Sequence, residues 1–416
     1  MRILIVGSGG REHAIAWALA KNEQVERVNF SGHNGGAFGK LVNAELADNS
    51  AESLLEFMEK EPIDLVVVGP EQPLSEGLVD TLKSHGCAVF GPEKAAARLE
   101  SSKAFAKSFM EKYGIPTARY LECRSLQDAR AALKQFDYPL VLKADGLCAG
   151  KGVSICQDEA EAERTLNEIF VEKIFGSEGS AVVIEEYLRG FEASLLCFVS
   201  GTRIYPFDTA MDYKKVLEGD LGPNTGGVGC VSPNPYWTGA LDAQSDEILR
   251  KIEQGLEAER LGFGGILFIG YLVQDGRLYV LEFNTRFGDP ESEVLLPRLQ
   301  SDLLENIQQA MSGEPVRLDF DKSHCLTAVL FSRGYPKAYQ KGFEITGVES
   351  LDPEIILFHN GTKREAGRLL TNGGRVLSVT ALGATLAQAR RRVYANVEKL
   401  RFDNRAFRKD IGARKA

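Results

Sequence analysis

The opening stretch of the chain restricts its fold more than any other. Ile3-Leu4-Ile5-Val6 is a short apolar run, and Gly7-Ser8-Gly9-Gly10 follows at once. Arg11-Glu12-His13-Ala14-Ile15-Ala16-Trp17-Ala18-Leu19 then reads as a helix. A buried strand that turns through glycines into a helix opens a parallel α/β sheet. The free N–H groups and the dipole at that turn favour an anion. A dinucleotide fingerprint needs a third glycine where this chain has Glu12, so a single phosphate is expected there. Similar units follow. Ile63-Asp64-Leu65-Val66-Val67-Val68 runs into Gly69-Pro70-Glu71, and Cys87-Ala88-Val89-Phe90 runs into Gly91-Pro92. The loop Ser31-Gly32-His33-Asn34-Gly35-Gly36 follows the strand at Val28. These loops are either plain connecting turns or the rim of one pocket beyond the carboxyl ends of the strands.

A chain of 416 residues exceeds one ordinary core. Near residue 100 the character changes. Ala95 to Tyr113 reads as one helix carrying Lys103 and Lys107. Leu140-Val141-Leu142-Lys143-Ala144 is a strand with a lysine near its end, which is costly to bury unless it meets an anion. Asp145-Gly146-Leu147-Cys148-Ala149-Gly150-Lys151-Gly152-Val153 is no Walker A loop, because Gly152 stands where Ser or Thr belongs. It is a glycine hairpin suited to covering phosphates, or else a solvated turn. Ala181 to Leu188 is a strand ending in acids. Backbone groups there could meet a purine edge and Glu192 a ribose, although acidic strand ends are usually solvated.

Gly222-Pro223-Asn224-Thr225-Gly226-Gly227-Val228-Gly229 is dense in glycine and suggests backbone wrapped closely round a ligand. The strand from Phe263 turns through Asp275-Gly276, a hairpin signal, into Arg277 to Glu282. Alternation puts Glu282 and Asn284 on one face with Phe283 opposite. A carboxylate beside an amide oxygen suits Mg²⁺. Arg286 joins that face if the strand lasts, before Gly288-Asp289-Pro290 breaks it. The same run also reads as an edge strand ending in a charged turn. From about His324 the pattern is strand-rich, with Thr371 to Leu377 as a hairpin turn and Thr385 to Leu400 as a helix.

Lys+Arg 49 against Asp+Glu 58 gives a net charge of −9 with no basic block, which argues against nucleic acid. No apolar run is long enough to span a membrane, and the N-terminus does not resemble a signal peptide. Seven scattered cysteines without a CxxC pair read as reduced thiols in a cytoplasmic protein, and a zinc site is not expected.

Taken together, Gly7 to Ala14, Lys143 to Val153, Gly222 to Gly229, Arg286-Phe287-Gly288-Asp289-Pro290-Glu291 and Thr371 to Leu377 resemble the glycinamide ribonucleotide synthetase family of ATP-grasp ligases, in the family's order. The resemblance implies an N-terminal Rossmann-like parallel sheet at 1–100. It implies a central ATP-grasp domain at 101–322 with a mobile lid at about 117–188, and a small C-terminal α+β domain at 323–416. The implied activity is ATP-dependent ligation of glycine to 5-phosphoribosylamine with Mg²⁺ or Mn²⁺, by a monomer or weak dimer. Carried over by position, Lys103, Lys143, Gly150, Lys151 and Gly152 would meet ATP phosphates, and Glu185, Glu186, Tyr187 and Leu188 the adenine, with Glu192 on the ribose. Glu282 and Asn284 would hold the metal. Asp212, Arg286, Gly288 and Asp289 would line the glycine and amine site, with Lys143, Asp212, Arg286 and Asp289 catalytic. Gly9, Gly10, Arg11, Glu12, Asn34, Gly35 and Glu71 would hold the phosphoribosyl group. The chain departs from the family at Tyr213 (usually histidine), Val228 (often methionine) and Glu293 (often glutamine), and Ser31 to Asn34 lacks the usual proline.

Overall fold

The computed structural model describes residues 1–148 and 152–413. Strands β1 (Arg2–Val6), β2 (Arg27–Phe30), β3 (Leu41–Asn43), β4 (Leu65–Val68) and β5 (Val89–Phe90) form a parallel sheet in the order β3-β2-β1-β4-β5. Ile3, Leu4, Ile5 and Val6 of the central strand are fully buried, as expected for a parallel sheet covered on both faces. Strand order reverses at β1, so the turns after β1 and β4 border one crevice. The helix Gly10–Leu19 starts at the first of these turns.

The stretch expected as one helix is two, Lys94–Ser101 and Lys103–Lys112. Ser102 between them is extended, and its side chain accepts the Phe105 N–H. Its hydroxyl reaches the Asp145 carboxylate at 3.2 Å. A serine satisfied on both sides caps a new helix rather than continuing the old one. The break points Lys103 at the Gly146 carbonyl, 2.7 Å away.

Strands β6 (Tyr120–Cys123), β7 (Leu140–Ala144), β8 (Val153–Cys156) and β9 (Val182–Glu186) form an antiparallel sheet in the order β6-β9-β7-β8. The largest sheet comes later in the chain. Its strands are β10 (Phe191–Gly201), β11 (Arg203–Asp212), β14 (Gly229–Ser232), β15 (Phe263–Gln274), β16 (Arg277–Asn284), β17 (His324–Ser332), β18 (Ile356–His359), β21 (Arg375–Gly383) and β22 (Arg405–Ala406). Two small hairpins flank it, β12 (Lys215–Leu217) with β13 (Leu221–Asn224), and β19 (Thr362–Glu365) with β20 (Arg368–Thr371). The order is β16-β15-β10-β11-β14-β17-β21-β18, with β22 on β17. Because β17 pairs with β14, this sheet runs without a break across residue 322. The Thr371 to Leu377 turn is not a hairpin: β20 pairs with β19, while β21 pairs with β17 and β18. A turn signal reports the local bend, and the pairing depends on distant strands.

Two histidines tie the first helix to the C-terminal strands. His13 Nδ1 accepts the His359 N–H at 2.9 Å, and the rings stack edge-on at 5.3 Å. Burial pushes the His13 imidazole down to about 4. An unfolded histidine protonates near 6.5, so stability should be lost as pH falls below about 6.5 and level off only near the folded value. Melting curves across that range should show a shallower loss in His13→Asn; an unchanged slope would mean that other groups carry it.

Candidate active site

Lys143 is the lysine embedded in β7, and it meets the anion its burial requires. Its Nζ lies 2.9 Å from Glu185 Oε1 and donates to the Leu281 carbonyl at 3.2 Å. In the β7–β9 ladder Glu185 faces Val141, which puts it diagonal to Lys143 on the same face. Lys107 approaches the other Glu185 oxygen at 3.1 Å and donates to Thr117 Oγ1 at 2.6 Å. Burial pulls the Lys107 ammonium down to about 8, with Glu185 opposing the shift. Glu185 is thus a charge partner, buried to 1 % exposure, whereas Glu186 accepts the Arg119 N–H and Tyr187 faces solvent. Leu188 is partly buried just beyond β9, and Gly152 is buried before β8. Gly150 and Lys151 lie outside the described residues.

Glu282 and Asn284 end β16, and Phe283 between them is buried in the core. Pairing with β15 slips at Gly270/Tyr271, so Leu281 is an extra residue. Such bulges re-aim side chains, and this one offers the Leu281 carbonyl to Lys143. Lys214 sits 2.7 Å from Glu192 and 4.0 Å from Glu282. Burial works to raise the Glu282 carboxyl, but Lys214, Lys143 and Lys103 override it and hold it below the ordinary range. Among the described residues no three His, Cys, Asp or Glu side chains cluster as a metal cage. An ionised carboxylate beside an amide oxygen still fits a hard cation that takes its remaining oxygens from phosphates and water.

The strand stops at Asn284, yet Arg286 folds back so that Nη2 donates to Asn284 Oδ1 at 3.3 Å. Its Nε lies 3.2 Å from Glu100 and 3.7 Å from Glu71. Glu100 in turn accepts the Thr285 N–H at 2.7 Å. Arg11 reaches Glu71 at 4.0 Å and donates to the Phe287 carbonyl at 3.3 Å. Burial works to raise Glu71, and Arg286 and Arg11 together hold it lower. Glu12 explains why no dinucleotide turn forms: its carboxylate accepts the Gly9 N–H and the Arg11 Nε, both at 2.7 Å. Asn34 is committed within the protein, donating to the Ser8 and His359 carbonyls at 2.9 Å each. The Gly35 carbonyl takes Arg364 Nε at 3.0 Å.

The third cluster is acidic. Asp289 Oδ2 pairs with Arg375 at 2.7 Å, and buried Gly288 accepts the Ser292 hydroxyl on its carbonyl. Arg375 also donates to the carbonyls of Gly226 at 2.6 Å and Asp289 at 3.0 Å. Oδ1 of Asp212 and Oδ1 of Asp289 are buried without a hydrogen-bond partner among the described residues. Burial, then the Glu291 charge, raise the Asp212 carboxyl well above the usual range. Gly227 closes this side at φ +101°, and a Cβ there would lie 2.3 Å from Pro290 Cδ and 2.5 Å from Asp212 Oδ1. Gly227→Ala should therefore cost about 1–3 kcal/mol and most of the activity. A urea midpoint and turnover both within error of wild type would contradict this.

Three models of the phosphoribosylglycinamide synthetase family match the chain: the N domain over residues 1–100, the ATP-grasp (A) domain over 101–292 and the C domain over 325–414. The chain belongs to this family. Phosphoribosylamine–glycine ligase of Clostridium acetobutylicum is 44% identical over 421 aligned positions, covering 100% of both chains. The crystal structure of phosphoribosylamine–glycine ligase from Thermotoga maritima matches with a TM-score of 0.87 at 36% identity, over 99% of this chain and 100% of that one. The biotin carboxylase domain of Hydrogenobacter thermophilus 2-oxoglutarate carboxylase shares the fold at 15% identity, with a TM-score of 0.76 over 98% of this chain and 91% of its own.

Within this family fold, contacts join Arg11, Glu71, Arg286 and Asn284 into one network, and Lys214, Glu192 and Glu282 into another, with Lys143 donating to the Leu281 carbonyl on the same strand end. Four contributors had no assigned role from sequence. Lys107 lies one helical turn after Lys103 and Lys214 two residues after Asp212, so spacing alone could have flagged them. Glu100 and Arg375 carry no local signal, because their partners lie 185 and 86 residues away. The Tyr213 hydroxyl accepts the Gly412 N–H at 3.0 Å, which ties it to the C-terminal segment.

Proposed function

We propose that this chain joins glycine to 5-phosphoribosylamine at the expense of ATP, giving glycinamide ribonucleotide, ADP and phosphate in purine biosynthesis. The observation that carries this reading is identity of 44% along the whole of a phosphoribosylamine–glycine ligase. The site supports it. In the first half-reaction the glycine carboxylate takes the terminal phosphoryl group of ATP, forming an O–P bond as ADP leaves. In the second, the amine attacks the acyl carbon and phosphate departs with its electron pair.

Each cluster suits one part of that sequence. Lys143 and Lys103 neutralise phosphate charge, which is most of what phosphoryl transfer asks of a protein. Glu282 and Asn284 would hold Mg²⁺ or Mn²⁺, which when bound neutralises phosphate oxygens. Arg286 presents its guanidinium to the carboxylate of glycine, and Asp212 with Asp289 offers carboxyl oxygens to its amino group. Gly9, Gly10, Arg11 and Glu71 lie beside the crevice of the parallel sheet, where a sugar phosphate would bind. No nucleophilic triad is needed, because positioning and charge carry both steps. The net charge of −9 and scattered basic residues support small molecules as the partners. Among the described residues no helix is long and apolar enough to cross a membrane.

The test is ADP release with glycine and freshly generated phosphoribosylamine, each omitted in turn. Sustained ADP release, beyond one equivalent per site, should require both. Equal release without glycine, or with another amino acid in its place, would overturn the substrate assignment.

A further inference from the structure

Glu293 sits in the short helix Ser292–Leu295 and is 0% exposed. Neither carboxyl oxygen has a hydrogen-bond partner among the described residues. The backbone of the first helix presses against it: a Cβ on Gly10 would lie 2.5 Å from Glu293 Oε1 and 2.0 Å from Asn360 Oδ1. The Asn360 amide donates to Ser378 at 2.9 Å and so is engaged elsewhere. The charged and titratable groups facing Glu293 are Asp289 and Glu291 on its own segment, Arg375 on β21 and Cys230 on β14. Asp212 on β11 acts through Glu291. The first helix and β17 also pack on this short helix, but Arg11 engages Glu12, His13 engages the His359 N–H, and buried Cys325 lies by Arg298.

The donor count is unbalanced. Arg375 is committed to Asp289 Oδ2 and to the Gly226 and Asp289 carbonyls. Among the described residues, Asp289 Oδ1 and both Glu293 oxygens have no donor. Two buried anions against one arginine would leave one charge uncompensated. One proton held between the two carboxyl groups would supply the missing donor.

We propose that Glu293 is a positioning residue for Asp289: a neutral carboxylic acid whose hydroxyl donates to the sealed Asp289 oxygen and fixes that side chain at the amino-acid end of the site. Burial first, and the Asp289 charge second, hold the Glu293 carboxyl well above the usual range, consistent with a retained proton. The role of Asp289 in this inference rests on the proposed function; the protonation of Glu293 does not.

Glu293→Gln keeps the shape and an N–H donor, whereas Glu293→Leu keeps only bulk. At neutral pH the glutamine variant should hold kcat/KM for glycine within about threefold of wild type, and the leucine variant should lose about tenfold or more. An unfolded glutamate ionises near 4.3, so the native protein keeps an extra proton above that point and its stability falls as pH rises toward the folded value. Glutamine should remove that loss, and wild-type kcat/KM should fall at alkaline pH where that of the glutamine variant does not. Infrared difference spectra of wild type minus Glu293→Gln should show a deuterium-sensitive protonated-carboxyl component that belongs to Glu293, apart from any contribution of Asp212. The proposal is overturned if the glutamine variant does not fold, if the difference spectrum shows no lost carboxyl component and the alkaline loss of stability persists, or if leucine and glutamine are equally active. Should the protein make no ADP from glycine and phosphoribosylamine, the functional reading fails, while the melting and infrared results still report the proton on Glu293.

Discussion

Glu282→Gln is expected to lower kcat by about a hundred- to a thousandfold, the range typical of losing one preorganised charge-stabilising group at a reacting centre. Glutamine preserves the shape of the side chain and one oxygen. It removes the charge, which three surrounding lysines hold in place against burial. With Asn284 as its neighbour, Glu282 provides the one anionic oxygen of the proposed metal pair, and a hard divalent cation binds poorly to two neutral amides. The loss should be largest at limiting metal and partly recovered at high Mg²⁺. Titration with Mn²⁺ in the presence of ADP should show weakened binding in the variant. Wild-type turnover at limiting Mg²⁺ would remove Glu282 from the metal site, while leaving the family assignment untouched.

Arg375→Leu should destabilise the protein by about 3–5 kcal/mol and abolish measurable ligation, because removing one partner of a buried pair leaves the other charge uncompensated. Arg375 is 17% exposed and Asp289 16%, so solvent does little to screen the pair. The arginine also holds the Gly226 carbonyl at 2.6 Å, which docks the glycine-rich loop against Asp289. The urea midpoint measures the first effect and phosphate release the second. Arg375→Lys should recover part of the stability and less of the activity, since an ammonium cannot span two carbonyls and a carboxylate in one plane. A stability change under about 1 kcal/mol would class the pair with exposed ion pairs of little weight.

Much of this protein is decided locally and can be read from the chain alone. The run Ile3 to Val6 into Gly7 to Gly10 determines a buried strand and a glycine turn, because a β-branched apolar run has few other stable conformations. Alternation determines that Phe283 opposes Glu282 and Asn284, and Asp275-Gly276 determines its hairpin, at φ 50° and 73°. The cost of burying a lysine determines that Lys143 must meet an anion.

Tertiary structure alone decided which anion, which face and which partners. Glu185 became the partner of Lys143 only through strand register, and the bulge at Leu281 was set by pairing with β15. Ser102 broke a helix because Asp145, 43 residues later, lay within reach of its hydroxyl. Arg375 reached the site because the sheet continues from β14 into β17 and then β21, a pairing that no turn residue encodes. The division has one physical reason. Backbone preference and side-chain alternation act over a few residues, whereas a buried charge is satisfied by whatever the completed fold brings within about 3 Å.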